Sequence, residues 1–225
     1  MADETAAEKY LRHRTAFRSQ VTSEFLARGP HTNLIFAAAT ELVASLTFFL
    51  TNRDMRKVNN GLYISGLLTS FCRSHFVAGD LLLQGELIDA ATILRKQMEL
   101  VSRLKELRSG VQAADLVDRT PNVRHLRKDV ARLYGEYSSI AHSANPRTLQ
   151  LLGLVEKDGC TYTPLYPVFD ENLRAGLNHF VLVSLEFALW TMSFYRSELS
   201  AYDPTYDETV FRTLCEQSIA EFPRS

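Results

Sequence analysis

Apolar residues recur at spacings of three and four along most of the chain, the period of helices with one buried face. Residues 7–26 read as a polar, amphipathic helix closed by Gly29-Pro30. Thr32 or Asn33 is placed to cap the next helix, expected to run to about residue 57, before the Asn59-Asn60-Gly61 turn. A third helix spans about 62–83, with Leu67, Phe71, Ser74, Ala78 and Leu81 along one side, and Gly85 allows a break. Residues 86–108 carry Leu87, Ala91, Leu94, Met98, Val101 and Leu104 in a clean stripe, closed by Ser109-Gly110. After a weak helical turn at 113–118, a fifth helix is expected over 122–144, with Val123, Leu126, Val130, Leu133, Tyr137 and Ile140 inward and Asn145-Pro146 as its stop. Residues 149–155 and 160–165 read as two extended runs around Lys157-Asp158-Gly159, a short β-hairpin. Asp170 then caps a long apolar helix to about residue 199, expected to be central, and a last helix covers 206–221. The pattern predicts one all-α helical domain over 1–225 with a small hairpin insertion near 149–166.

Composition places bounds on what such a bundle does. Of 225 residues 46% are hydrophobic and 23% charged, which excludes a disordered chain. A net charge of -1 excludes a globally basic nucleic-acid binder. The balance is uneven, however. Residues 89–147 hold eleven Lys/Arg and seven Asp/Glu, whereas 170–225 hold four Arg and nine Asp/Glu. Arginine also outnumbers lysine, 19 to 6, and arginine is preferred where planar, bidentate contacts to carboxylate or phosphate are made.

Three scattered cysteines without a CxxC motif point to a reducing cytoplasm. The acidic, polar first ten residues show no signal peptide. The apolar stretches 34–50 and 180–194 contain Glu41 and Glu186 and are short for a membrane span, so both are expected to be core helices and no membrane partner is expected. Phosphate-binding glycine loops, a hydrolase nucleophile elbow and zinc-type His/Cys spacings are absent, so neither a metal nor a cofactor is expected.

One constellation can do chemistry. Arg95 and Glu99 are four residues apart on the shoulder of the fourth helix's apolar stripe, with Arg103 and Glu106 further along. On the fifth helix Tyr134, Ser138 and His142 repeat at four and four, beside a mid-helix Gly135. A mid-helix glycine costs about 1 kcal/mol against alanine, and close approach of another backbone is one compensation. If the two helices pack antiparallel, the strips share a groove. His142 would act as acid/base, Arg95 would hold phosphate and Glu99 would orient either one. The bland alternative is an ordinary Arg95–Glu99 pair, with Tyr134, Ser138 and His142 tying the helix to the hairpin.

At LLLQGELIDAATILRKQMELVSRLKEL (81–107) and LYGEYSSIAHSANPR (133–147) the chain resembles a bacterial helical-bundle branch of the HEPN superfamily. That resemblance implies a homodimer and, in many members, a metal-independent ribonuclease of toxin–antitoxin or phage-defence systems. Other members bind partners or nucleotides without catalysis. The usual motif separates Arg from His by four to six intervening residues, and the corresponding positions before His142 are Tyr137, Glu136 and Gly135 instead. Two expectations therefore stand. One is an RNA-cleaving enzyme using His142, Arg95, Glu99, Tyr134 and Ser138. The other is a non-catalytic dimer that takes a small ligand or a partner protein from the same operon.

Overall fold

A computed structural model describes residues 4–29, 31–142 and 146–222. Among the described residues the fold is all-α: seven helices with one two-stranded hairpin. The helices are α1 (Ala6–Arg28), α2 (Thr32–Phe48), α3 (Gly61–Leu83), α4 (Leu87–Arg108), α5 (Lys128–Ala141), α6 (Asn172–Glu198) and α7 (Thr205–Glu221). β1 (Val155–Lys157) and β2 (Cys160–Tyr162) pair antiparallel, with Lys157 opposite Cys160. Asp158 and Gly159 both take positive φ, 53° and 75°, as a tight two-residue hairpin turn requires.

One apolar core collects side chains from every helix. α4 lies against α3 on one side and α5 on the other, with α6 across it. α6 runs through the middle because it is apolar nearly all round: Leu173, Leu177, Phe180, Val183 and Phe187 are all at or below 1% exposure. It is long and apolar enough to cross a membrane, and 67% of its most apolar window is buried inside the fold.

Helix ends differ from the sequence reading in three places. α2 stops at Phe48 rather than near residue 57. Asn52 turns left-handed with φ 65°, and a separate 3₁₀ turn, Met55–Lys57, starts where the Asp54 carboxylate accepts the Arg56 N–H. Neither Thr32 nor Asn33 caps α2; its capping position is His31, with no side-chain hydrogen bond. α5 begins at Lys128, six residues after the expected start at Asn122.

The cause of the late start is tertiary. Asn122 caps only a 3₁₀ turn, Val123–His125. Arg127 is then extended, with ψ 152°, and both its backbone N–H (3.2 Å) and its guanidinium (2.9 Å) bind the Glu186 carboxylate of α6. The expected stop at Asn145 falls outside the described residues. The first arm of the expected hairpin is largely a 3₁₀ segment, Pro146–Leu152, and only the three-residue strands remain extended.

Candidate functional site at the α4–α5 seam

Packing of α5 on α4 brings the two polar shoulders together. Arg95 Nη2 lies 3.1 Å from Glu99 Oε1 along α4. Across the seam the Tyr134 hydroxyl donates to the same Glu99 oxygen at 2.9 Å. Arg95 Nη1 is 3.3 Å from His142 Nε2, a contact between residues 47 apart in sequence. As a hydrogen bond it requires the unprotonated Nε2 lone pair, because a guanidinium can only donate. The Arg95 guanidinium also sits over the Tyr134 ring, 5.5 Å from its centroid.

Tyr134 first and Glu99 next hold Arg95 above its ordinary pKa, so its charge is permanent. Its Nε is buried without a hydrogen-bond partner, and its contacts to Glu99 and His142 run through the two terminal nitrogens. The cluster is open to solvent: the Arg95 and Glu99 side chains are 22% and 25% exposed, and His142 is an exposed residue at the C-terminal cap of α5.

Four of the five expected residues thus form one hydrogen-bonded unit. Ser138 lies on the same flank of α5, half-buried, and its carbonyl accepts the His142 backbone N–H at 3.2 Å. Among the described residues no hydrogen bond joins its hydroxyl to the other four. Arg103 and Glu106 belong elsewhere. They form a buried pair at 3.1 Å, Glu106 accepts the Asn122 N–H at 2.6 Å, and Arg103 donates to the Arg119 carbonyl. That pair clamps the connection between α4 and α5. Gly135 is exposed, and a Cβ there would meet nothing within 4 Å, so no backbone of this chain compensates for it.

Three buried polar groups were not legible as sites. Glu186, 2% exposed, takes Lys105 and Arg127, so part of the basic middle of the chain is neutralised by its acidic end. Its one sequence signal was a carboxylate inside an apolar run. Tyr137, read as a core position, bonds to His179 Nδ1 at 2.7 Å. His75 is fully buried.

Other cations near the seam keep their charge available. Among the described residues no carboxylate lies within 4.0 Å of the exposed Lys96, Arg124, Lys128 or Arg132 side chains. No family model, curated protein or solved structure matches this chain.

Proposed function

We propose that the α4–α5 seam is the active site of a HEPN-like, metal-independent ribonuclease that works as a homodimer in a bacterial toxin or phage-defence system. The observation that carries this reading is the Arg95–His142 contact at 3.3 Å, in a solvent-open cluster with Glu99 and Tyr134. A phosphodiester entering the seam takes the Arg95 terminal N–H groups by charge-assisted hydrogen bonds. His142 Nε2, released from Arg95, accepts the ribose 2′-OH proton. The 2′-oxygen bonds to phosphorus as the P–O5′ bond breaks, leaving a 2′,3′-cyclic phosphate, and water supplies the proton to the 5′-oxygen. Glu99 holds Arg95 in place, and Tyr134 holds Glu99. The exposed cations Lys128 and Arg132, four residues apart at the start of α5, and Arg124 in the 3₁₀ turn before it add favourable potential for a polyanion.

The second reading, a non-catalytic helical dimer that binds a partner protein or a small ligand, is favoured by the contacts Arg95 already makes within the chain. Glu99 and His142 each already engage one of its two terminal nitrogens, as in a purely structural network. RNA degradation separates the two. Wild type is expected to cleave, and His142→Ala and Arg95→Ala are each expected to lose at least about a hundredfold in rate, the scale of one acid/base or electrostatic group. Cleavage that persists in both variants removes the site, and failure to bind any RNA at low salt removes the enzyme reading.

A further inference from the structure

On the other flank of α5, between α4, α5 and α6, lies a cavity of ≈ 180 Å³. Leu87, Leu94, Ile140 and Leu151 form its apolar wall, and Tyr137 and His179 supply the polar part. The exposed residues Glu136 and Asn172 stand at its rim. The space opens to solvent between these rim residues and reaches inward to the buried Leu87, Leu94 and Tyr137. It is too small for a nucleotide. It suits a single ring, since a dry cavity of about 150 Å³ admits benzene.

The polar pair defines what the ring must carry. Burial first, and the Arg132 cation second, push the His179 pKa down to about 4, so its imidazole is neutral. A neutral imidazole carries one N–H. A phenol is a stronger donor than a neutral imidazole, so Tyr137, at 2.7 Å, gives its hydrogen to Nδ1 and places the imidazole proton on Nε2. A donor is thereby left on His179, one of the residues that line the cavity. Among the described residues no cation lines the cavity, and the Glu136 carboxylate at the rim disfavours an anion.

We propose that this cavity binds a small neutral ring compound with one acceptor oxygen, of the phenol or cyclic-ketone class, with the oxygen on His179 Nε2–H. The site shares no residue with the Arg95–His142 cluster, so either can fail without the other. Ala91, buried in the wall, and Ala175, exposed at the mouth, keep the space open.

The test uses the full-length protein, with phenol and benzene as probes followed by amide NMR. Phenol is expected to give saturable shifts at Leu94, Ile140 and Gly176, and to bind up to about tenfold more tightly than benzene, the scale of one neutral hydrogen bond. Tyr137→Phe should shrink that preference. Long-range ¹⁵N spectra of wild type should show His179 Nδ1 as an unprotonated acceptor. Ala91→Met fills the space and Ala175→Phe blocks the mouth; each should weaken phenol binding at least about tenfold, the scale of a methylene-sized clash or more. If Ala91→Met does not fold, the exposed Ala175 position still carries the test. Unsaturable or scattered shifts, or phenol binding unchanged by the cavity variants, would overturn the proposal.

Discussion

Acid should unfold this protein partly through His75, and the size of the effect follows from its surroundings. The ring has no exposed surface. It stacks on Phe180 at 4.3 Å and 23°, with Phe71 at 6.2 Å. Both ring nitrogens are buried without a hydrogen-bond partner, and burial alone pushes the pKa from 6.5 down to about 3.

The unfolded chain therefore binds a proton near pH 6.5 that the folded chain refuses until about pH 3. The stability contributed by a neutral His75 is fully present above pH 6.5 and is lost as pH falls toward the folded value. At about 1.4 kcal/mol per pKa unit, the loss between pH 8 and pH 5 is about 2 kcal/mol.

Urea unfolding of wild type and His75→Phe at those two pH values measures this. Phenylalanine keeps an aromatic ring between Phe71 and Phe180 and removes both unsatisfied nitrogens. It should lose about 2 kcal/mol less than wild type between pH 8 and pH 5, and any constant repacking cost cancels in that difference. Removing the unsatisfied nitrogens should also offset part of the repacking cost at pH 8, by about 1–3 kcal/mol. An identical pH dependence in the two proteins would refute the reasoning.

Two further predictions concern stability. Glu186→Ala removes the carboxylate shared by Lys105 and Arg127 and should cost about 3 kcal/mol in urea unfolding. That is the lower end for a broken buried pair, because both cations can turn to water; a change below about 1 kcal/mol would show that the contact does not anchor the start of α5. Gly135→Ala places a methyl group in open space on a helix and should raise stability by up to about 1 kcal/mol. A loss instead would mean that another molecule packs against that face.

The helices were legible because periodicity is a local property. The stripe Leu87–Ala91–Leu94–Met98–Val101 is buried as its spacing implies, at or below 7% exposure. Helix ends were less legible. α5 starts late because Arg127 is held by Glu186, 59 residues further on, and spacing near Asn122 carries no trace of that. Glu186 illustrates the same limit: its position in an apolar run spoke against a membrane span, but its partners came from two other parts of the chain.

The candidate site divides along the same line. Sequence by itself determined which residues share a flank: Arg95 with Glu99, and Tyr134 with Ser138 and His142, since four residues return a helix to nearly the same side. Only the tertiary structure decided that these flanks face each other, that Tyr134 bonds to Glu99 rather than to the hairpin, and that Arg103 and Glu106 serve a separate clamp. It also decided that His75 is fully buried, and that the half-buried His179 meets Tyr137. The physical reason is that helical period constrains the direction of a side chain about its own axis. What the side chain meets depends on how separate helices bury their apolar faces against one another, and that is settled by the whole core at once.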